Sequence, residues 1–359
     1  MFASGVFSKP RFALIIILIL SSGAFGFCPA QEQETAEQKK EKLKVDQIPY
    51  KIVYETRRTT ESRRNWELFM MNTDGSNPVN LTKTANIDEM YPHVSPDGTK
   101  ICFVADEFEY GLKVRNVYYM NIEDGNRVKV GHNARQPCWS PDGKKIAFLK
   151  AEFDRYTINP YSTLEIMIYD IESGRLQVHN NEKLNHLYAL CWCPGSEWFL
   201  AAVVGGTEYS DTIIAFEADG SKIYDLEEFG VRGCRPEISQ DGKRLTWGET
   251  DWQLNVADID FSSGRPVVSN IKTLLTCPRD TKLYHVDFSP DGKYIAFTRG
   301  PFEGAQQVGG FAKDWNICIT DLEGNWVQIT TDGNHNKEPD WVPIAKEELK
   351  QEEQKSSVL

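Results

Sequence analysis

Residues 137–148 read PCWSPDGKKIAF, and this stretch decides the fold because close variants of it recur along the chain. Its Asp-Gly pair lies between two short apolar segments. Gly accepts a positive φ angle and Asp hydrogen-bonds to the backbone of its own turn, so this pattern predicts a tight hairpin. Proline before the aspartate presets the turn. The other copies have their turns at residues 95–98 (SPDG), 193–195 (CPG, a degenerate form), 239–242 (SQDG) and 289–292 (SPDG).

A second motif, an apolar strand followed by a turn and another strand, alternates with the first. Its six copies cover residues 67–82 (ELFMMNTDGSNPVNLT), 117–130, 165–178, 213–226, 254–268 and 317–330. Together the two motifs give a repeated unit of four short antiparallel strands, which we call the first to fourth strands. One such sheet cannot bury both its faces alone, so the units must pack against each other. The sequence therefore predicts an all-β fold, a six-bladed β-propeller of four-stranded antiparallel blades.

The two ends of the repeat region indicate how the ring closes. Residues 51–54 (KIVY) resemble a second strand, and no copy of the first strand precedes them. A matching first strand follows the sixth unit as residues 339–343 (PDWVP). We therefore predict a propeller over residues 50–344 whose first blade is completed by a C-terminal strand.

The pattern WSPDGKKIAF, with ELFMMNTDGSNPVNLT, resembles the WD-like propeller repeats of the TolB family. The resemblance covers residues 50–344 and is specific for the fold, because turn motif and strand order recur together. Similar blades occur in periplasmic scaffold proteins, in accessory domains of peptidases and in a few lyases. The resemblance implies a binding or scaffold module in the bacterial cell envelope.

The N-terminal residues 1–30 have the features of an export signal. Lys9 and Arg11 precede an entirely apolar run at 12–20, and small residues follow. This run is short for a membrane-spanning helix, so we predict a periplasmic or otherwise exported protein with no stable membrane insertion after cleavage. An uncleaved anchor and a lipoprotein attached at Cys28 are the alternatives.

The two segments that flank the predicted propeller are rich in charged residues, and the net charge of the chain indicates which class of partner it can bind. Residues 31–49 are predicted to be a charged flexible leader, and residues 345–359 a charged tail. The net charge of the 359-residue chain is −12, which gives it no general attraction for nucleic acid. A monomer is compatible with these features.

The topology of such a blade separates two faces. The turns between first and second strands and between third and fourth strands lie on one face, and they are short and uniform; we call it the regular face. The remaining connections lie on the opposite, variable face, and they include long loops at residues 56–65, 152–163 and 300–314. Variable loops on a rigid scaffold usually carry binding. The motif aspartates on the regular face are therefore interpreted as turn residues, with no catalytic role.

Candidate binding residues lie near the start of each first strand, where they should line a central funnel on the variable face. They are Glu89, Tyr91, Arg135, Gln136, Tyr188, Arg235, Tyr284, His285, Lys337 and Glu338. Aromatic, cationic and anionic groups that converge on a funnel can hold a peptide segment or a sugar. The alternative is that these groups cover the channel mouth and pair with each other.

Sequence motifs for catalysis and metal binding are absent. The six histidines form no short metal-binding motif, although a composite site built from several blades is an alternative to dispersed structural histidines. No nucleophile elbow, phosphate-binding loop or dinucleotide fingerprint occurs. We therefore predict no catalytic residue, no metal and no cofactor. The seven cysteines after Cys28 are predicted to be buried free thiols, with a bridge between Cys234 and Cys277 as an open alternative.

Two hypotheses for the function follow. The first is an exported non-catalytic propeller that binds a protein or peptide partner in the bacterial cell envelope through its variable face and funnel. The second is a metal-assisted lyase or hydrolase that acts on an acidic polysaccharide in the funnel. The acidic net charge and the dispersed histidines favour the first hypothesis.

Overall fold

The computed structural model describes residues 43–59, 65–205, 209, 211–302 and 313–344. The predicted signal, most of the leader and the charged tail lie outside these ranges, as does most of the loop at 300–314. No helix in the described part of the chain is long and apolar enough to span a lipid bilayer.

The described residues form 24 strands and two short 3-10 helices, numbered in chain order. The first eight strands are β1 (Tyr50–Arg57), β2 (Trp66–Asn72), β3 (Val79–Asn80), β4 (Asp88–Val94), β5 (Lys100–Glu109), β6 (Leu112–Asn121), β7 (Arg127–Gly131) and β8 (Ala134–Trp139). The next eight are β9 (Lys145–Ala151), β10 (Thr163–Asp170), β11 (Leu176–Val178), β12 (Leu187–Trp192), β13 (Trp198–Val203), β14 (Thr212–Glu217), β15 (Ile223–Asp225) and β16 (Cys234–Ile238). The last eight are β17 (Arg244–Glu249), β18 (Gln253–Asp260), β19 (Val267–Thr276), β20 (Thr281–Phe288), β21 (Tyr294–Pro301), β22 (Asn316–Asp321), β23 (Trp326–Gln328) and β24 (His335–Pro343). The 3-10 helices are η1 (Val45–Gln47) and η2 (Leu226–Phe229).

These strands make six four-stranded antiparallel sheets. Blades 2 to 6 each use four consecutive strands, beginning with β4, β8, β12, β16 and β20, whereas blade 1 has the order β24-β1-β2-β3. Each first strand lies beside the first strands of the two neighbouring blades, and β24 lies between β20 and β4. The predicted six-bladed propeller is therefore confirmed.

Strand β24 closes the ring as predicted. It pairs antiparallel with β1, and Trp341 lies opposite Ile52. The Trp341 side chain is buried, packs edge-on against Tyr50 with 5.9 Å between ring centroids, and donates from Nε1 to the Asp287 carbonyl of blade 6 at 3.1 Å. One side chain thus joins blade 1 to its neighbour across the closing contact.

The SPDG motif has the turn chemistry that the sequence predicted. In blade 3, Asp142 Oδ1 accepts from Ser140 Oγ at 2.6 Å and from the Lys144 amide at 3.0 Å. Ser140 Oγ accepts in turn from the Lys145 amide at 2.9 Å, and Gly143 has φ 70°. The turns beginning at Ser95, Ser239 and Ser289 repeat these contacts. Each of these aspartates therefore caps its own turn with hydrogen bonds from a serine hydroxyl and a backbone amide.

Replacement of Asp142 by alanine should therefore lower the free energy of unfolding by about 1 kcal/mol, because two hydrogen bonds to the turn are lost. Chemical denaturation with the fluorescence of the tryptophans measures this change. The matched control is Lys144→Ala, which removes an exposed side chain from the same turn and keeps both bonds. Equal stability of the two variants would contradict the capping role.

The last residues before β1 pack against the propeller. Leu43, Val45 and Ile48 are buried and contact apolar side chains of blades 1 and 6. Thr73 Oγ1 also donates to the Ile48 carbonyl at 3.3 Å. This differs from the flexible leader expected for residues 31–49, because three apolar side chains in its last seven residues give that part a core to join.

Candidate functional site

Every first strand contains a β-bulge, and it positions the side chains around the channel. Each bulge shifts the pairing register between the first and second strands. At each bulge one non-glycine residue has a left-handed backbone: Tyr91, Gln136, Ala189, Arg235, His285 and Glu338, with φ between 44° and 57°. This conformation costs of order 1–3 kcal/mol per residue and persists only where the surroundings impose it. Five of these six residues belong to the predicted funnel set.

The six bulges surround a small cavity in the channel, of about 110 Å³. Sites for small molecules usually measure about 300–1,000 Å³. The cavity therefore accommodates a single side chain more readily than a sugar chain. Its polar lining comes from His93, Gln136, Arg235, Glu237, His285, Asp287, Glu338 and Asp340.

Glu338 is the acid of this cavity that contacts Arg235 and His285. Its Oε1 lies 3.1 Å from Arg235 Nη1 and 2.9 Å from His285 Nε2. Burial lowers the pKa of His285 to about 4, against the opposing charge of Glu338. The imidazole is therefore neutral at pH 7, and Arg235 is the cation that pairs with Glu338.

Lys337 lies beside this group but not in the cavity. Its side chain and that of Glu55 are both 0% exposed, and they form an ion pair between β24 and β1. The Lys337 ammonium also lies 4.8 Å from the ring centroid of Trp66 and 5.2 Å from that of Tyr91. The Tyr91 amide donates to Glu55 Oε2 at 2.6 Å. Lys337 is therefore part of the interior of blade 1.

Arg135 is also buried, with 2% of its surface exposed. Its Nη1 donates to the Asn159 carbonyl at 2.9 Å and its Nη2 to the Thr157 carbonyl at 2.8 Å. Burial, followed by the nearby charge of Arg115, lowers the pKa of Arg135 to about 10. The side chain thus anchors the loop at residues 152–162, whose carbonyl groups lie against the guanidinium.

The remaining predicted residues have partners within the protein. Glu89 is fully buried and accepts from Arg127 Nη1 at 2.8 Å. Gln136 Oε1 accepts from the Ala189 amide at 2.6 Å. Two tyrosines complete the set: Tyr188 packs edge-on against Tyr161, and Tyr284 stacks on Trp315 and donates its hydroxyl to Asp251. The structure thus brings together Tyr91, Gln136, Arg235, His285 and Glu338 at the cavity, and places Glu89, Arg135 and Lys337 in the interior.

The variable face carries a feature that the sequence analysis missed, a protruding apolar hairpin between β5 and β6. Both strands contain ten residues, whereas second and third strands of the other blades contain six to eight. At its tip Phe108, Tyr110 and Leu112 are 69%, 105% and 74% exposed. Tyr110 and Gly111 have φ 52° and 82°, as a two-residue hairpin turn requires. The Tyr-Gly pair between strand-like segments was the available signal.

Exposed apolar side chains also occur on the neighbouring loop at residues 152–162. Phe153 and Ile158 are exposed there. Lys113 Nζ, one residue after Leu112 in the hairpin, lies 4.7 Å from the ring centroid of Tyr156 in this loop. The hairpin and the loop are therefore adjacent, and we call them together the apolar rim.

Among the described residues, the histidines and cysteines form no metal-binding cluster. Within the described ranges, no group of three His, Cys, Asp or Glu side chains is arranged to hold a metal ion. His132 lies 3.6 Å from Glu109, His186 lies 3.4 Å from Glu152, and His93 Nδ1 accepts from the Trp139 amide at 3.3 Å. The seven described cysteines are free thiols, five of them buried, so no bridge joins Cys234 to Cys277.

Comparisons with known proteins agree on the fold. No protein-family model matches the sequence, and no curated protein matches it. TolB from Acinetobacter baumannii is 20% identical with a TM-score of 0.59, over 82% of this chain and 67% of that one. A putative TolB from Agrobacterium tumefaciens is 13% identical with a TM-score of 0.52, over 82% and 98%. A chain of a nidogen/laminin complex is 8% identical with a TM-score of 0.54, over 81% and 98%. The chain is thus a six-bladed β-propeller whose fold is shared with TolB structures.

Proposed function

We propose that this protein is an exported, non-catalytic propeller that binds a protein or peptide partner in the bacterial cell envelope, as a TolB-like scaffold. The observation that carries the proposal is the apolar rim of the variable face. Large apolar side chains gathered on a surface usually mark an interaction site.

The protruding hairpin has the properties of an anchor. Phe108, Tyr110 and Leu112 lie at the end of a hairpin whose two strands are longer than the second and third strands of the other blades. Each such side chain contributes about 1.5–3 kcal/mol when a partner buries it fully. Aromatic residues at the centre of an interface commonly dominate its energy.

The channel could contribute to binding of the same partner, but only through a small contact. Its cavity of about 110 Å³ fits one side chain of a bound partner. The alternative function, a metal-assisted lyase or hydrolase acting on an acidic polysaccharide, has less support. The histidines named above have separate protein partners, and the cavity is small for a sugar chain.

The test is capture of partners from envelope extracts with the protein carrying Phe108→Ser and Tyr110→Ser together. We expect the amount of specifically bound partner to fall at least thirtyfold, since two anchors contribute about 2 kcal/mol or more. The matched control is Leu176→Ser with Val178→Ser, which removes two exposed apolar side chains from the outer strand of blade 3. Quantitative mass spectrometry of the bound fraction compares the three proteins. Equal capture by the rim variant and the wild type would overturn the proposal.

A further inference from the structure

The opposite end of the channel opens into a second cavity, on the regular face, of about 380 Å³. Its walls are mainly apolar, with Ser95, Ser140 and Gln240 among them, and come from the ends of the first strands and from the turns that follow them. They include Val94, Pro96, Trp139, Pro141, Trp192, Pro194, Ile238, Phe288, Pro290, Trp341 and Pro343. The volume lies within the range of small-ligand sites.

The floor of this cavity is acidic. Glu237, Asp287 and Asp340 line it and also line the first cavity, so they lie between the two, and no salt bridge joins them to a cation in the part of the chain that the structure describes. Asp340 accepts from the amides of Val94 and Trp341, both at 2.6 Å.

The other two carboxylates have fewer donors than carboxylate oxygens usually accept. Glu237 Oε1 accepts only from Cys191 Sγ and the Ile238 amide, each at 3.2 Å, within the described ranges. Asp287 Oδ2 is a buried atom without a hydrogen-bond donor among the described residues. A buried carboxyl oxygen is stabilised by a hydrogen-bond donor, so Asp287 Oδ2 is a position where a donor on a ligand would be favoured.

We propose that this cavity binds an organic ammonium group carried on an apolar stem, such as a lysine side chain. The ammonium would donate to Asp287 and Glu237 on the floor, and the stem would contact the proline and tryptophan walls. The three N–H donors of an ammonium match the three carboxyl groups of the floor, and its aliphatic stem matches the apolar walls.

The titration of the floor is consistent with a missing cation. Burial raises the pKa of Glu237 to about 7. Burial, followed by the charges of Asp340 and Glu237 and by a hydrogen bond between the Asp287 and Asp340 carboxyl groups, raises the pKa of Asp287 well above its usual range. His93 also faces this cavity, and its Nδ1 is occupied by the Trp139 amide. A bound ammonium would supply the charge that the protein does not.

A bare metal ion fits the cavity less well than an ammonium. The described residues contain no metal-binding group of three His, Cys, Asp or Glu side chains, although three carboxylates line the floor. The apolar walls would also supply no further protein ligand, so a metal would depend on water at its remaining coordination positions. The apolar walls are instead suited to contact with a hydrocarbon stem.

The test uses n-pentylammonium as an analogue of the lysine side chain and n-pentanol as its uncharged counterpart. Trp139, Trp192 and Trp341 line the cavity, so tryptophan fluorescence and calorimetry both report binding. We expect n-pentylammonium to bind at least tenfold more tightly than n-pentanol. We also expect Asp287→Asn and Glu237→Gln each to weaken n-pentylammonium binding at least tenfold.

The charge-matched control is Asp97→Asn, which removes a carboxylate from a turn on the same face but outside the cavity lining, and should leave binding unchanged. The ammonium could belong to a lysine side chain of a protein or to a free small molecule, and Nα-acetyl-lysine amide distinguishes these two sources. If it binds as tightly as n-pentylammonium or more tightly, the ligand is a protein side chain. If only n-pentylammonium binds, the ligand is a small molecule. Equal binding of n-pentanol and n-pentylammonium, or unchanged binding by both floor variants, would overturn the proposal. The rim variant leaves this face intact, so this result is independent of the proposed function.

Discussion

Lys337→Met should lower the free energy of unfolding by about 3–5 kcal/mol, because it leaves the carboxylate of Glu55 buried without a counter-charge. Both side chains are 0% exposed, and the two residues are paired in register between β24 and β1. Methionine keeps most of the length of the lysine stem and its contact with Trp66, so the main loss is the ammonium. Guanidinium denaturation monitored by circular dichroism measures the effect.

The double variant Glu55→Gln with Lys337→Met separates charge from packing. Glutamine retains an acceptor for the Tyr91 amide, and neither remaining side chain is charged. Replacing both partners of a buried ion pair usually costs much less than replacing one. We therefore expect the double variant to recover most of the lost stability. If it is no more stable than Lys337→Met, the buried charge is not the cause of the loss.

Trp341→Ala should have a comparable effect, a loss of about 3–5 kcal/mol. This side chain is buried between blades 1 and 6, contacts the rings of Tyr50 and Tyr294, and donates to the Asp287 carbonyl. Its removal leaves a cavity and an unpaired carbonyl at the contact that closes the ring. Thermal unfolding and limited proteolysis of β24 both detect the change.

Trp252→Ala is the matched control for this substitution. Trp252 is partly exposed, and its Nε1 also donates to a backbone carbonyl, that of Arg279, at 3.1 Å. The two variants therefore remove the same ring and the same type of hydrogen bond, but only one of them lies at the ring closure. Equal losses in the two variants would contradict a special role for Trp341.

The fold could be predicted from the sequence because its signals are local and repeated. The turn around Asp142 needs only Ser, Asp and Gly at fixed spacing, and each copy strengthens the others. Ring closure was also predictable, since the first unit lacks a strand and the segment around Trp341 supplies it. The packed segment containing Leu43 and Val45 was missed because charged residues precede it and hide its apolar character.

The candidate site could be predicted only in part, because its properties depend on contacts between blades. The left-handed backbone at His285 and Glu338 has no local sequence signal beyond a following proline in some copies. Arg135 was expected in an open funnel, but the loop at residues 152–162 covers it. No pattern in that loop shows that two of its carbonyls accept from the arginine. The side chains at the channel could thus be named from the repeat, whereas their exposure could not.

The position of β24 in the chain has a consequence for biogenesis. Blade 1 combines β1, β2 and β3, which precede the other described strands in the chain, with β24, which follows them. The edge of β1 therefore stays open until residues 335–343 have been made. An open edge favours pairing with other chains, and contacts between distant segments form slowly. The ring of blades therefore cannot close on a nascent chain of this protein until β24 has been released.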